Sequence, residues 1–509
     1  MTENENWGRL LPDDELNRAL LANVHPADWK NPAPTGRYHM VVVGAGSAGL
    51  ITALVASSLG ARVALIERHL MGGDCLNVGC VPSKTLIHAA RRAHATRSAS
   101  DLGLAPPAEE VDFATAMRQM REVRAHIGPE DSVARYSGEF GIDVFLGDAT
   151  FTGRDTVQVG ETELRFRRAV IATGGRATAP PIPGLAEVGH RTNDTIFELT
   201  DRPERLAVIG GGPIGCELAQ AFQRLGSKVT LFEVAPQVLV REDPDAAALV
   251  QASLARDGID LILGCQLEKV EPGGTARIVH VKRADGVMEQ HAADEILVAA
   301  GRAPNVEGLG LEAAGVEYDA RGVTVDDRLR TTNKRIFAAG DVAMAWKFTH
   351  AADAAAKIVV QNALFFGRRK VSALTMPWAT YTDPEVAHVG LYERDADERN
   401  IPIDTYTTPL EKVNRAVAEH QTEGFVRVHT RKGKGEILGA TIVGPHAGEL
   451  ISQVTQAMVT GTSLGKLGDV IYPYPTYSEG LKATAGAFTR TRLTPRVQAL
   501  FDRWFRLLS

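Results

Sequence analysis

Cysteine is scarce in this sequence, with four residues among 509. So few cysteines argue against a small secreted fold held together by disulfides. The sequence also lacks any apolar run near the ~20 residues needed to span a bilayer. Its first six residues, MTENEN, are acidic and polar, unlike the basic and apolar regions of a signal peptide. Together these features predict a cytoplasmic protein.

An excess of basic residues is missing as well. The 56 Lys and Arg residues are outnumbered by 62 Asp and Glu residues, which gives a formal net charge of −6. This balance gives no reason to expect nucleic-acid binding. The length exceeds the ~250–300 residues at which single cores usually stop growing, so more than one domain is expected.

Two segments carry the pattern of a dinucleotide-binding βαβ unit, in which a buried strand, a glycine-rich turn, a helix and a second strand ending in an acid follow in order. The glycines and acids are Gly44, Gly46, Gly49 and Glu67 in the first unit and Gly210, Gly212, Gly215 and Glu233 in the second. Glycines allow the backbone to approach a pyrophosphate, and the helix N-terminus stabilises its charge. Two such units predict two bound dinucleotides and two Rossmann-like domains.

The segment GGDCLNVGCVPSK, residues 72–84, contains two of the four cysteines, Cys75 and Cys80. In a reducing compartment such a pair is more often catalytic or metal-binding than structural. A zinc site would need two further ligands, and the sequence offers no second cysteine pair or histidine cluster. Beside two dinucleotide units, the pair predicts an electron relay. Cys216 and Cys265 are interpreted as plain core or surface cysteines.

With these motifs the chain resembles the pyridine nucleotide-disulfide oxidoreductases, a family that includes lipoamide dehydrogenase, glutathione reductase and mercuric reductase. The resemblance covers roughly residues 38–490. It implies an α/β fold of the glutathione reductase type, with two Rossmann-like dinucleotide-binding domains and a C-terminal α+β dimerisation domain. It also implies a homodimer whose active site is completed across the interface.

The resemblance and the composition of the flanking segments together predict five parts of the chain. They are an N-terminal extension (1–36), an FAD-binding domain (37–190 and 305–370), an NAD(P)-binding domain (191–304), an interface domain (371–490) and an amphipathic C-terminal tail (491–509). We expect the extension and the tail to pack on the body or on a partner subunit. Membrane-surface attachment of the tail is the less favoured interpretation.

The resemblance also implies roles for individual residues. FAD contacts are implied for Gly44, Gly46, Gly49, Glu67, Gly73, Lys84, Ala149, Thr173, Gly174 and Asp341, and NAD(P) contacts for Gly210, Gly212, Gly215, Glu233 and Gly301. Cys80 would contact the flavin as the charge-transfer thiolate, and Cys75 would attack the substrate. Lys84 would lie beside the flavin with Glu217 as its partner. An acid at position 233 favours NADH, because it binds a ribose 2′-hydroxyl and repels a 2′-phosphate.

The sequence departs from relatives that act on ordinary disulfides. Those relatives carry a proton-shuttling histidine five residues before a glutamate; here Glu479 is present, but Tyr474 stands in the histidine's place. Tyrosine, with a reference pKa of ~10, is a poor base at neutral pH. The tyrosine resembles mercuric reductase, whose soft metal substrate needs thiolate ligands. The printed sequence nevertheless has no cysteine pair in residues 496–509 and no cysteine before Cys75.

The leading hypothesis is an FAD-dependent NAD(P)H oxidoreductase of a mercuric-reductase-like branch. It would pass electrons through Cys75 and Cys80 to a soft metal ion such as Hg(II), a metal–thiol adduct or a small disulfide. The alternatives are a lipoamide-dehydrogenase-like enzyme, a broad diaphorase, and a redox-sensing flavoprotein without turnover. No protein-bound metal is predicted, and the physiological substrate stays open.

Overall fold

The computed structural model describes residues 10–34, 36–99, 103–105 and 111–508. The acidic start of the predicted extension, residues 1–9, lies outside the described residues, as does the last residue of the predicted tail. The α-helices are α1 (Glu15–Val24), α2 (Ser47–Ser58), α3 (Gly73–Asn77), α4 (Cys80–Arg97), α5 (Phe113–Ile127), α6 (Val133–Gly138), α7 (Leu185–Val188), α8 (Pro213–Arg224), α9 (Pro244–Arg256), α10 (Leu311–Ala314), α11 (Thr349–Leu364), α12 (Glu393–Glu398), α13 (Asn414–Ala418), α14 (Ala447–Val459), α15 (Leu464–Gly468), α16 (Glu479–Thr491) and α17 (Pro495–Leu508).

The strands alternate with these helices along the chain. They are β1 (Tyr38–Val43), β2 (Val63–Glu67), β3 (Asp143–Leu146), β4 (Ala149–Gly153), β5 (Thr156–Val159), β6 (Thr162–Ile171), β7 (Gly175–Ala177), β8 (Arg205–Ile209), β9 (Lys228–Glu233), β10 (Asp260–Leu263), β11 (Gln266–Gly273), β12 (Ala276–Lys282), β13 (Met288–Ala293), β14 (Glu295–Val298), β15 (Arg302–Pro304), β16 (Tyr318–Asp319), β17 (Gly322–Val323), β18 (Ile336–Ala338), β19 (Pro377–Thr380), β20 (Glu385–Gly390), β21 (Ile403–Pro409), β22 (Phe425–Arg431) and β23 (Ile437–Gly444).

The chain forms two compact units. The first contains the described residues up to Val234 together with Ile259–Leu374, and the second contains Ala235–Gly258 together with the described residues from Thr375 onward. The first unit carries both glycine-rich turns and the cysteine pair. The predicted division of this region into FAD-binding and NAD(P)-binding domains stays a prediction.

The larger sheet of the first unit has the strand order β3-β2-β1-β6-β5-β4, with β18 also paired to β6. Strands β1, β2, β3, β6 and β18 run parallel, and β4 and β5 form an antiparallel extension. The continuous apolar character of β1 suits a strand buried on both faces. A core that includes Phe145, Phe151 and Phe166 lies against this sheet and includes residues up to Val342.

A second parallel sheet, of order β10-β9-β8-β14, carries the other βαβ unit. The strands β11, β12 and β13 follow β10 in the chain and pair with one another in antiparallel order. In both parallel sheets the glycine-rich turn comes at the carboxyl end of a strand, where ligands bind in open α/β folds. The expected repetition of the βαβ unit is therefore present.

The C-terminal unit is built on an antiparallel sheet of order β19-β20-β23-β22-β21. Helices α14 and α16 share its core through apolar side chains such as Leu450, Val454, Leu481 and Phe488. This is the α+β architecture expected for residues 371–490. The α/β fold class with an additional α+β domain is thus confirmed.

A helix lies near each end of the described residues, and α17 agrees with the amphipathic pattern of the predicted C-terminal tail. The N-terminal arm, defined here as residues 10–34, packs on the first unit and buries Leu20 and Val24 of α1. Helix α17 has no buried residue in this single chain, and it exposes Leu500, Phe501, Trp504 and Phe505. Within the described ranges, every helix is too short or too polar to serve as a transmembrane span.

Candidate active site

The cysteine pair lies on the redox loop, defined here as residues 72–80. Cys75 lies in the short helix α3, and Cys80 is the first residue of α4. Helix α4 therefore begins at the second cysteine of the pair. Pro82 is compatible with this start because the first-turn amides of a helix have no intrahelical acceptor.

The two thiols interact directly and share one proton unequally. The hydrogen bond from Cys75, with smaller contributions from Thr349 and Lys84, lowers the pKa of Cys80 to about 6 against the opposing effect of burial. The same hydrogen bond, with burial, raises the pKa of Cys75 well above its ordinary range. These environments therefore favour Cys80 as the thiolate of the pair, with the proton on Cys75.

Lys84 and Glu217 form an ion pair on the α4 side of the cysteines. The Lys84 ammonium lies 2.7 Å from a Glu217 carboxylate oxygen, and Glu217 is almost fully buried on α8. Lys84 is one helical turn beyond Cys80, so its charge acts on the thiolate. The pairing named from the sequence is thus present as a contact, while its role in electron transfer stays a prediction.

Thr349 is a site residue that sequence reasoning missed. Its hydroxyl lies 3.5 Å from the Cys80 sulfur, at the first residue of α11. The two residues are 269 positions apart in the chain. In the sequence, only the position of Thr349, at the start of the helix that follows Gly340 and Asp341, could have pointed to this contact.

Arg302 is a second missed residue, and it links the redox loop to Asp341. Its guanidinium is hydrogen-bonded to Asp74, donates to Gly175 O at 2.9 Å, and lies 3.7 Å from the Asp341 carboxylate. Burial raises the pKa of Asp341, and the nearby Arg302 opposes this effect. Because Arg302 directly follows Gly301 at the start of β15, the glycine pattern was the signal that could have pointed to it.

The first glycine turn is closely enclosed. Gly44 has a φ of +101°, and a Cβ built on it would lie 2.4 Å from the Ala172 carbonyl oxygen, so only glycine fits. Glu67, at the end of β2, accepts a hydrogen bond from the Ala45 amide at 2.6 Å. The amides that open α2 receive no side-chain cap, which leaves them available to an anion.

The remaining residues predicted to bind FAD lie on the same unit. Gly73 packs against Gly46, with a built Cβ only 2.7 Å from the Gly46 Cα atom. Thr173 exchanges hydrogen bonds with Asn305 in the turn that contains Gly174, and Ala149 is buried at the start of β4. An uncapped helix start, a terminal acid and a glycine cradle fit a dinucleotide such as FAD.

The second glycine turn repeats the first at β8 and α8. Glu233, at the end of β9, accepts a hydrogen bond from the Gly211 amide at 2.6 Å. Helix α8 begins after Gly212 with Pro213 in its first turn and no side-chain cap. These residues fit a second dinucleotide. Gly301 directly precedes β15, and a Cβ built on it would lie 2.7 Å from the Thr178 hydroxyl.

Tyr474 and Glu479 belong to the C-terminal unit. Tyr474 is 70% exposed, and its hydroxyl accepts a hydrogen bond from the Asn414 side chain at 3.2 Å. Glu479 begins α16 and has a buried carboxylate oxygen that no described residue hydrogen-bonds. Their roles in the reaction stay predictions.

Comparison with known proteins identifies the family. Residues 38–356 match the pyridine nucleotide-disulphide oxidoreductase family, and residues 376–485 match its dimerisation domain. The chain belongs to the pyridine nucleotide-disulfide oxidoreductases. As a member of this family it is an FAD-dependent enzyme that uses NAD(P)H, and it carries the family's dimerisation domain.

Among its relatives in this family are mercuric reductases. The enzyme from Bacillus cereus is 37% identical over 89% of this chain and 72% of its own length, and that from Staphylococcus aureus is 36% identical over 94% and 90%. A dihydrolipoyl dehydrogenase from Thermus scotoductus is 35% identical over 88% of this chain and 97% of its own. The resemblance to a mercuric-reductase-like branch is confirmed.

A solved structure of similar fold is the Cu(II) complex of the HOCl-induced flavoprotein disulfide reductase RclA from Escherichia coli. It superposes with a TM-score of 0.79 and 31% identity, covering 89% of this chain and all of that one. The similarity extends over both family domains, which agrees with the α/β and α+β architecture described above.

Proposed function

We propose that this protein uses NADH to reduce a soft metal ion, such as Hg(II), or its thiol adduct through Cys75 and Cys80. The observation that carries the proposal is the surroundings of the cysteine pair. The Cys80 sulfur lies 3.5 Å from the Thr349 hydroxyl and one helical turn before Lys84, and these groups together with Cys75 lower the pKa of Cys80. Thiolates are both nucleophiles and ligands for soft metals.

The chain's own residues divide the chemistry between two sulfurs. When bound, FAD supplies two-electron transfer between the nicotinamide and the cysteine pair. Cys80, beside Thr349 and Lys84, holds the negative charge of the reduced pair, and Cys75 holds the proton. Loss of that proton lets Cys75 bind a metal ion. Oxidation of the two thiolates to a Cys75–Cys80 disulfide would supply the two electrons that reduce bound Hg(II) to Hg(0). One NADH, oxidised to NAD⁺, would then reduce the disulfide to a thiol and a thiolate.

The preference for NADH rests on Glu233. Its carboxylate accepts a hydrogen bond from the Gly211 amide, so the acid faces the turn where the second dinucleotide is expected. Glu67 has the equivalent contact with Ala45 in the first unit. An acid so placed favours a ribose 2′-hydroxyl over a 2′-phosphate.

The proposed enzyme is a homodimer in which Tyr474 of a second copy completes the site. The dimerisation domain supports the assembly, and the exposure of Tyr474 leaves its hydroxyl accessible to a ligand. A phenol can ligate or orient a metal–thiolate complex but is a poor proton shuttle at neutral pH. This chemistry supports a metal ion over an ordinary disulfide.

A small disulfide is the second candidate substrate, because the relatives include a dihydrolipoyl dehydrogenase as well as mercuric reductases. Cu(II) enters as a metal candidate since the similar RclA structure is a Cu(II) complex. The test is NADH oxidation by the purified flavoprotein with Hg(II), Cu(II), lipoamide or glutathione disulfide as the acceptor. The assays with the two metal ions also contain a thiol. We expect the metals to be turned over fastest. Rates with both metals equal to the buffer rate would refute the metal proposal.

The variant Cys75→Ala separates a cysteine-dependent reductase from a broad diaphorase. We expect it to abolish metal reduction and to leave dye reduction intact, because dye reduction needs only the flavin. Cys265→Ser is the matched control, since Cys265 lies outside the redox loop. Metal reduction that survives in Cys75→Ala would favour the diaphorase. A redox sensor would instead show negligible NADH consumption with every acceptor.

A further inference from the structure

The N-terminal arm, residues 10–34, precedes the family match, which begins at residue 38. It is nevertheless anchored in the first unit by buried side chains of α1. Leu20 and Val24 are fully buried, and the polar Asn17 is only 1% exposed. A buried amide requires hydrogen-bond partners, and those partners indicate what the arm contacts.

Asn17 is connected to the redox loop through one arginine. Arg124 on α5 is 2% exposed, and its guanidinium donates to Asn17 Oδ1 at 2.5 Å and to the Asn77 carbonyl oxygen at 2.7 Å. Asn77 is the last residue of α3, two positions after Cys75. Helix-terminal carbonyls have no intrahelical donor, so the charged guanidinium supplies one for this short helix.

The orientation of Asn17 is fixed by the arm itself. Its backbone amide donates to Asp14 Oδ1 at 2.8 Å, and its side-chain amide donates to the Pro12 carbonyl oxygen at 2.8 Å. These bonds direct Oδ1 toward Arg124. Asp14 also pairs with Arg121 at 2.7 Å, one turn before Arg124 on α5. The arm therefore presents a preformed acceptor to a buried cation.

The arm also contacts the chain just before the redox loop. The Met71 amide donates to the Val24 carbonyl oxygen at 3.1 Å, and the His25 ring is hydrogen-bonded to the His69 carbonyl. Met71 directly precedes Gly72, the first residue of the loop. The arm thus holds the segment that carries Cys75 from both sides, at Met71 and, through Arg124, at Asn77.

We propose that the N-terminal arm is a positioning element for the cysteine pair, which acts through Asn17 and Arg124 on the Asn77 carbonyl. The distance between the two sulfurs depends on the backbone of residues 72–80, and their mutual hydrogen bond depends on that distance. Loss of the Asn17 contact would leave a buried guanidinium short of an acceptor, and α5 and the loop would adjust. The hydrogen bond between Cys75 and Cys80 would weaken.

The test is the pH titration of the long-wavelength thiolate-to-flavin absorption of Cys80 in the two-electron-reduced, flavin-bound protein, without nucleotide or acceptor. In Asn17→Leu we expect the midpoint to move upward and the absorbance near pH 6 to fall by about threefold or more, as for residues that modulate a site from a distance. The biological meaning rests on the proposed function, but this readout involves no turnover. Failure of the metal screen and failure of this test are therefore distinguishable.

Asn31→Leu is the matched control. Asn31 lies on the same arm and exchanges hydrogen bonds with Leu146, at 2.9 and 2.8 Å, away from the redox loop. Its midpoint should stay at the wild-type value. Asn17→Asp, which keeps an acceptor for Arg124, should keep most of the absorbance that Asn17→Leu loses. Equal midpoints in Asn17→Leu, Asn31→Leu and wild type would overturn the proposal. If Asn17→Leu does not fold, Asn17→Ser decides in the same way, since its side chain is too short to reach Arg124.

Discussion

The two glycine turns of the first unit have the same pattern but different surroundings. In the first, Gly46 is covered by the redox loop, because Gly73 packs directly on it. In the second, no described atom lies within 4 Å of a Cβ built on Gly212. In both turns a backbone amide donates a hydrogen bond of 2.6 Å to an acid, Glu67 in the first and Glu233 in the second.

This difference corresponds to two ways of using a dinucleotide. A cofactor that lies beneath the redox loop is enclosed and stays with the protein through turnover. A cosubstrate must enter and leave in every cycle, so its turn has to remain open. The shared pattern therefore indicates dinucleotide binding. We predict from the covering by the redox loop that the first turn holds the resident FAD and that the open second turn exchanges NAD(P)H.

The strongest test of this comparison replaces one glycine in each turn. Gly44→Ala introduces a Cβ at φ +101° and 2.4 Å from the Ala172 carbonyl oxygen. We expect it to lower the free energy of unfolding by about 2–4 kcal/mol and to yield protein with little flavin. Gly212→Ala should keep its flavin and stability, and raise the KM for NADH by about tenfold through its effect on pyrophosphate approach.

The measurements are flavin absorbance per protein, denaturant unfolding and steady-state kinetics. If both alanine variants lost flavin to the same extent, the two turns would not differ in function. If Gly212→Ala left the KM for NADH unchanged, the second turn would not be the nucleotide site.

A smaller effect is expected from the contact between the redox loop and the first turn. Gly73→Ala places a Cβ 2.7 Å from the Gly46 Cα atom, so the loop must lift from the turn. We expect faster loss of flavin on dilution and a changed alkylation rate of Cys80. Gly60→Ala is the matched control, because Gly60 also has a positive φ, +85°, but no described atom lies within 4 Å of its built Cβ. Similar flavin loss in both variants would mean that backbone strain, and not covering, is responsible.

The two acids provide the next comparison. Glu233→Gln removes the charge that repels a 2′-phosphate, and we expect the ratio of kcat/KM for NADH to that for NADPH to fall by about tenfold, which is ~1.4 kcal/mol. Glu67→Gln should leave this ratio unchanged and affect only flavin retention. Steady-state kinetics with both nucleotides measures the ratio. A larger change in Glu67→Gln than in Glu233→Gln would reverse the assignment of the two turns.

Much of this organisation could be predicted from the sequence because the signals are local. The dinucleotide-binding pattern predicts an acid at the end of the second strand of each unit, and β2 and β9 do end at Glu67 and Glu233. The pairing of Lys84 with Glu217 came from the family resemblance, which transfers long-range contacts that no local pattern contains.

The contacts that were missed join residues that are distant in the chain. Thr349 reaches Cys80 across 269 positions, and Arg302 reaches Asp74 across 228. A threonine or arginine in a loop or helix end carries no periodic signal, since such residues are common on solvated surfaces. The link from Asn17 to the redox loop was invisible for the same reason.

The smallest expected effects concern the thiols beside the two turns. Cys80 is the last residue of the redox loop, which covers the first turn, whereas Cys216 is buried on α8 and donates to the Gly211 carbonyl at 3.2 Å. Burial raises the pKa of Cys216, so we expect no alkylation of the folded protein at any pH that preserves the fold. Cys80 should react above about pH 6 and lose its reactivity as the pH falls through that value, because the thiolate is then protonated.

Substitutions around Cys80 should raise this midpoint in a defined order. Cys75→Ala removes the hydrogen bond that lowers the pKa of Cys80 most, Thr349→Val removes a weaker one, and Lys84→Met removes a charge whose effect Glu217 partly offsets. We expect Thr349→Val to shift the alkylation midpoint upward by about half a pH unit, with a larger shift in Cys75→Ala and a smaller one in Lys84→Met. A larger shift in Lys84→Met than in Cys75→Ala would mean that the ammonium, and not the neighbouring thiol, stabilises the thiolate. In that case the Lys84 charge on α4 would be the main cause of the reactivity of the Cys80 thiolate.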